Sequence, residues 1–436
     1  MNELTYKQRR DRLLAQMEEG AAVLGTATLK TRSNDTEYPY RQNSDFFYLT
    51  GFEEDNAALV LVKGGDTNKS ILFVQPKVEE MELWTGKRTG VDAAKERFDF
   101  DEVYSVEQFE EKLPELLQNL PRLYGDIFGA DERFESARNA ADTLRHKRET
   151  KRPVSQMIDV TQMVRQMRLR KSEEEIATIR AGLEITAAAH HHAMAVCTPG
   201  MMEYALQAEY EYMFTKNGAY SDAYTTIIAG GDHANTLHYI KNDAPLNAGD
   251  LVLIDAGCEY RHYATDITRT FPVDGRFSEA QREVYEAVLA VQVAVIAQIG
   301  PGLLKSELQK NAEWMLCEKM VALGILQGEV DALIEAKAHK KYFPHGIGHW
   351  MGIDVHDQAP YHDAEGNELP LAPGMVLTIE PGLYLPEGDE SLPERYRGIG
   401  IRIEDDILVT ESGCENLSVA VAKSVEAIEA RCAQNA

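Results

Sequence analysis

Apolar and polar positions along the chain follow two regimes. Up to about residue 160, short apolar runs alternate with amphipathic stretches. "NAALVLVKG" (56–64) and "SILFVQP" (70–76) read as buried strands, and "SVEQFEEKLPELLQNL" (105–120) as an amphipathic helix interrupted or begun anew at Pro114. Then "RHKRETKRPVSQMIDV" (145–160), basic and broken by proline, has the composition of a connection between domains, and its charge run reads as a solvated face before an interaction patch. The second regime opens at Ser172. Ser172 with Glu175 forms a capping box, acids crowd the first turn, and Ile176, Ile179, Leu183, Ala187, His190 and Met194 recur on one helical stripe. These patterns predict two domains, residues 1–165 and 166–436. The triplet His190–His192 invites a metal, but neighbouring helical positions point about 100° apart and cannot converge on one ion. A structural role is expected, with His190 half-buried and its neighbours wet.

The second region repeats itself. "TPGMMEYALQAEYEYM" (198–213) aligns with "GPGLLKSELQKNAEWM" (300–315), each after a long helix, the second capped by Ser278 with Gln281. "LNAGDLVLID" (246–255) aligns with "LAPGMVLTIE" (371–380), which sets Asp255 opposite Glu380. Two segments repeating in the same order predict a duplicated α/β unit whose halves face one another.

Composition narrows the function. With 45 Lys+Arg against 71 Asp+Glu, the net charge is −26, which repels phosphate backbones and anionic lipid and argues against nucleic-acid or membrane partners. The first twenty residues lack the apolar core of a signal peptide, and "AVLAVQVAVIAQI" is too short for a bilayer. Five scattered cysteines, never CxxC, suit a reducing cytoplasm and provide neither a disulfide framework nor a zinc knuckle.

The candidate chemistry sits at strand ends. "LVLIDAGCEYRHYATDITRTF" (251–271) reads as a hairpin with apolar arms and a polar tip, "CEYRHYA". Asp255 and Asp266 are eleven apart, an odd separation that lets them sit directly opposite, with Cβ atoms about 4.5–5.5 Å apart. Two such carboxylates repel unless a proton or cation intervenes. Glu380 ends "MVLTI" and Glu404 follows "GIGIRI", with a long Pro/Gly-rich excursion between them, so the duplication predicts four converging carboxylates. For any single acid, a salt-bridged strand end with Arg269 or Arg402 reads equally well. Four in matched places favour cations.

"HGIGHWMGIDVHD" (345–357) places His345, His349 and His356 among two aspartates and three glycines. Pro344, Gly346, Gly348 and Gly352 oppose a helix, so these histidines act from a strand and its loops. Four carboxylates neutralise two divalent cations, and one imidazole completes an oxygen-rich set suited to Mn, Co, Fe(II) or Zn. A metal pair about 3.5–4 Å apart holds a bridging hydroxide at neutral pH and polarises a carbonyl.

"LIDAGCEYRHYATDITRTFP", "HGIGHWMGIDVHD", "LTIEPGLY" and "GIGIRIEDDILVT" closely resemble the aminopeptidase P and prolidase family, with its pita-bread fold; "YRQNSDFFYLTGF" in the first region resembles aminopeptidase P in particular. The resemblance implies an α/β (α+β) chain: a smaller N-terminal α/β domain, then a duplicated catalytic domain with a curved antiparallel sheet covered by helices. It implies two divalent ions, manganese before Co, Fe or Zn. Asp255 would ligate one ion, His349 with Glu380 the other, and Asp266 and Glu404 both. His356 would stabilise the tetrahedral intermediate, His238 would contact substrate near the scissile bond, and His345 would line a proline pocket. Arg402, on the same strand face as Glu404, would support a ligand from behind.

The expected reaction removes an N-terminal residue when proline is second, with Glu380 or a neighbouring acid returning the proton to the leaving nitrogen. Rivals are a prolidase cleaving Xaa-Pro dipeptides, some of which split organophosphates, and a non-catalytic scaffold homologue. A methionine aminopeptidase fits less well, because such enzymes usually lack the large first domain. His238 also reads as a packed loop residue. Trp84 reads as core, or as lining the site if the first domain or a neighbouring subunit covers it. A homo-oligomer, dimer or tetramer, is expected.

Overall fold

Both apolar runs of the first region lie at the centre of one sheet. The computed structural model describes residues 3–64 and 67–433, divided into a unit ending at Met167 and another beginning at Arg168. In the first unit six strands are ordered Glu102–Ser105, Thr67–Val74, Ala58–Gly64, Gly20–Gly25, Arg122–Gly125, Gln156–Asp159. Ala58–Gly64 pairs antiparallel with Thr67–Val74, Ala58 opposite Phe73. Ala58 to Leu61 and Ile71 to Val74 are wholly buried, so neither face of these runs meets water.

Three expectations change here. The helix Phe109–Leu117 runs through Pro114. Phe109, Leu113 and Leu117 bury at four-residue spacing, and the carbonyl deprived of its helical donor belongs to Glu110, an exposed residue. The proline-broken basic run is no free connection, because its end, Gln156–Asp159, pairs with Arg122–Gly125 as the edge strand. Trp84 is not core: it is 80% exposed on the short helix Glu79–Thr85, none of whose residues is buried.

In the second unit the helix Glu173–Val196 carries the expected capping box, and all six stripe residues are buried. His190 is fully buried rather than half-buried, bonded to the Tyr210 hydroxyl (2.9 Å) and near the Ala256 carbonyl (3.3 Å). His191 accepts from the Ala422 amide, and His192 pairs with Glu209. The three imidazoles face three separate partners. Among the described residues, no helix is long and apolar enough to cross a membrane.

The duplication appears as matched hydrogen bonds. The Gly200 amide donates to the Leu246 carbonyl at 2.7 Å, and the Gly302 amide to the Leu371 carbonyl at 2.8 Å. In return the Leu246 amide donates to Met201 and the Leu371 amide to Leu303. Each half then builds an antiparallel hairpin: Leu251–Asp255 pairs with Thr268–Pro272, and Val376–Ile379 with Asp405–Thr410. In the first, Asp255 stands opposite Thr268, and Glu259 opposite Ala264. Arg261 and His262, both at positive φ, make a two-residue turn. Asp255 and Asp266 are therefore diagonal neighbours on one face, not directly opposite as expected. The tip is also less polar in setting than its composition suggests. Cys258, Tyr263 and Ala264 are buried, and Tyr263 bonds Glu175 of the long helix.

In the second half Ile379 pairs with Asp405, and Gly382 with Arg402. One register spans both strand pairs and sets Glu380 directly opposite Glu404. The segment 345–357 forms no helix; it lies along this hairpin, with the Thr378 amide donating to the His349 carbonyl and the Glu380 amide to Ile347.

Two glycines permit these close approaches. A Cβ on Gly257 would lie 1.7 Å from the Thr265 carbonyl oxygen, and one on Gly348 1.8 Å from that of Thr378. Gly348→Ala and Gly257→Ala should each cost at least about 2 kcal/mol in urea unfolding, because backbone would have to move. Gly200→Ala, at φ +87° with open space around it, should cost only about 1 kcal/mol from its left-handed backbone.

Candidate metal centre

The two hairpins meet across one cavity of ≈ 360 Å³. Its lining includes Asp255, Asp266, His345, His349, His356, Glu380, Arg402, Glu404 and His238, so the expected ligands and substrate-contact residues reach one space, while Trp84 and Arg269 do not line it. Asp266, His349 and Glu404 present ligand atoms within 4.8 Å of one another. Asp255 and Glu380 stand beside that trio. The Tyr224 hydroxyl lies 2.6 Å from Asp255 Oδ1 and 2.5 Å from Asp266 Oδ1, while Glu380 lies 4.0 Å from His349 Nε2.

Supporting contacts come from both halves. Arg402 from the second hairpin reaches Asp255 of the first at 2.6 Å, whereas Arg269 pairs instead with Asp405. Thr268 donates its hydroxyl to Glu404 at 2.7 Å, and the Glu404 amide donates to the Thr268 carbonyl. His349 Nδ1 lies 3.0 Å from the Trp350 carbonyl, which turns Nε2 toward Asp266 at 3.4 Å. The His356 ring packs edge-on to His349, centroids 4.3 Å apart. His345 is fixed by the Tyr384 hydroxyl at 2.8 Å, which also accepts from Arg402. His238 is exposed on the loop after the 3₁₀ turn Gly231–Asn235.

So many acids in little water hold protons. Burial, and then Asp266, Glu380 and Asp255, push Glu404 well above the carboxylate range. Burial raises Glu380 to about 7 despite His349 and Arg402, and it raises Asp255 despite Arg402. Burial alone would lower His349, but its bond to Asp266 and the charge of Glu380 raise it to about 9. Burial and Arg402 lower His345 to about 4, and burial with His349 lowers His356.

Sequence reasoning passed over Tyr224, Thr268, Tyr384 and Asp406. Tyr384 stands inside the quoted "LTIEPGLY", and Thr268 two residues after Asp266; Tyr224 carries no spacing signal. Asp406 is a further acid, wholly buried, whose Oδ1 has no hydrogen-bond partner and whose pKa burial and Asp266 raise well above normal. This donor set of carboxylate oxygens and one imidazole, without thiolate, fits divalent cations. The chain's own cations at the cavity, Arg402 and His349, leave the acids under-neutralised.

Residues 177–411 match metallopeptidase family M24, and residues 6–124 match the aminopeptidase P N-terminal domain. The chain belongs to metallopeptidase family M24. Among relatives, the Xaa-Pro aminopeptidase of Escherichia coli K12 is 46% identical over 431 residues, 98% of this chain and 96% of its own. Zn-substituted E. coli aminopeptidase P in complex with product has a TM-score of 0.96 at 44% identity, covering 100% of this chain and 99% of that one. The E. coli enzyme with the inhibitor Pro-Leu has a TM-score of 0.95 at 44% identity, covering 99% and 98%. The expected fold class, an N-terminal α/β domain followed by a duplicated pita-bread domain, is thereby borne out.

In this M24 chain, protons and cations compete for one site. Glu380 ionises near 7 in the folded chain against about 4.5 unfolded, so metal-free stability should fall as pH rises across that window. His349, raised from 6.5 to about 9, adds stability that is full below 6.5 and is lost through about 9. Both act in one direction. Melting temperature of the metal-free chain should drop relative to the cation-loaded chain as pH rises from about 5 to 9. Calorimetry in two buffers at pH 6 should detect proton release on cation binding.

Proposed function

We propose that the chain is an Xaa-Pro aminopeptidase, a metallo-exopeptidase that releases the N-terminal residue from peptides with proline second. The observation that carries this reading is the convergence of two carboxylate pairs and His349 on a cavity also lined by His238, His345, His356 and Arg402. The relative named Xaa-Pro aminopeptidase and the likeness to an enzyme inhibited by a dipeptide that begins with proline support it over a prolidase. The domains are assigned as residues 1–165, N-terminal, and 166–436, catalytic.

Asp255, Asp266, His349, Glu380 and Glu404 would hold two divalent cations, manganese first, as their oxygen-rich donors favour. When bound, such cations supply Lewis acidity to the scissile carbonyl and make water ionisable near neutral pH. Arg402 and Tyr224 hold Asp255 in place. His356 donates to the oxygen on which negative charge develops. Glu380, whose carboxylate lies beside His349, takes the proton the attacking water gives up and carries it to the leaving proline nitrogen. His345, kept neutral and clamped by Tyr384, lines the proline pocket, and His238 contacts the peptide near the scissile bond. An Xaa-Pro bond has no amide hydrogen, so a pocket that asks for none leaves no acceptor unpaired.

Five free cysteines and the net charge of −26 suit a cytoplasmic protein that binds peptides rather than nucleic acid or membrane. A homo-oligomer, dimer or tetramer, would cover the exposed Leu83 and Trp84.

Manganese-loaded protein should cleave Xaa-Pro-Xaa tripeptides and spare Xaa-Pro dipeptides, read by chromatography of the released residue. The reverse preference would make it a prolidase, and intact tripeptides would sink both. His356→Ala should lower kcat about 10²-fold with KM little changed, the loss expected of one oxyanion donor.

A further inference from the structure

The reaction as derived leaves Asp354 and Asp357 of the stretch 345–357 without work. Asp357 is buried, its side chain 1% exposed, and it meets two buried cations: Arg168 at 2.5 Å through Oδ1 and Lys171, itself 1% exposed, at 3.0 Å through Oδ2. Arg168 also reaches Asp354 at 2.6 Å. Two acids and two bases thus balance beneath one loop. Buried ion clusters add little net stability over apolar packing, because desolvation consumes the attraction. Their directional bonds do hold a backbone in one place.

That backbone carries His349 at one end and His356 at the other. The Asp357 amide donates to the Trp350 carbonyl at 2.9 Å and the Gly352 amide to Asp354 at 3.0 Å, closing the loop on itself. The Gly352 carbonyl accepts from Ala264 at 2.8 Å, tying the loop to the hairpin of Asp255 and Asp266. A Cβ on Gly352 would fall 2.5 Å from Asp357 Oδ2 and 2.9 Å from Lys171 Cε. Glycine there lets carboxylate and ammonium press against the main chain. Arg168 and Lys171 stand at the entry to the helix Glu173–Val196, whose buried stripe makes it a rigid base.

We propose that Asp357, held by Lys171 and Arg168, is a positioning residue that fixes His356 at its edge-on station beside His349. It touches no reacting atom. The inference rests on the role given to His356 above.

The experiment is a double-mutant cycle in the full-length, manganese-loaded chain: Asp357→Asn, His356→Ala and the two combined. Tripeptide kcat and KM, melting temperature and calorimetric manganese affinity are read for each. Asp357→Asn should lower kcat about tenfold, leave KM and manganese affinity within about twofold, and cost nothing further in the His356→Ala background. Loss that multiplies in the combined variant, or falls equally on manganese affinity, would mark a general structural role and overturn the proposal. If Asp357→Asn does not fold, Asp354→Asn, at the 29% exposed partner of Arg168, enters the same cycle with about a threefold non-additive loss expected; an unchanged kcat overturns the proposal. His356→Ala at wild-type rate removes the reading beneath the inference and the inference with it. A slow His356→Ala beside a wild-type Asp357→Asn removes the inference alone.

Discussion

Repulsion among Asp255, Asp266, Glu380 and Glu404 is the constraint to which the rest of the second unit answers. Two charges 4 Å apart near a protein surface repel by about 4 kcal/mol, and Asp266 and Glu404 present oxygens within 4.8 Å of one another. The chain supplies Arg402 and His349 as counter-charges, hydroxyl donors from Tyr224 and Thr268, and protons retained on Glu380 and Glu404. Each partial remedy comes from a different element, and they meet only because the hairpins interlock at Thr268 and Arg402. A fold spending so much to keep acids together without enough cations of its own is built around ions it must acquire.

Much of this was legible from spacing. Parity along a strand placed Asp255 and Asp266 on one face, and the aligned repeats placed Glu380 in the matching position. The rung was not legible. It depends on a two-residue turn at Arg261 and His262, which lack the Asn-Gly chemistry that usually announces one. The helix through Pro114 and the burial of His190 were decided by tertiary packing, which local sequence does not display. Trp84 failed for the converse reason, since an aromatic side chain does not declare whether anything lies over it. Tyr224 was invisible because it belongs to no spacing pattern, whereas Asp406, two residues after Glu404 in the quoted "GIGIRIEDDILVT", offered a signal that went unread.

The glycines show how tightly the two levels are bound. At Gly257 and Gly348 a main chain passes so near another carbonyl that a methyl group has no room. At Gly352 the space is taken by an ion pair. In each case the missing side chain is what allows a ligand-bearing segment to lie against its neighbour.

The halves repeat in sequence but not in rung: one offers its acids on the diagonal, the other face to face. If two cations lodge between these unlike jaws, as proposed, they feel unlike fields, with Asp255 beside one and His349 with Glu380 beside the other. Occupancy would then proceed in sequence, the stronger seat filling first and yielding last.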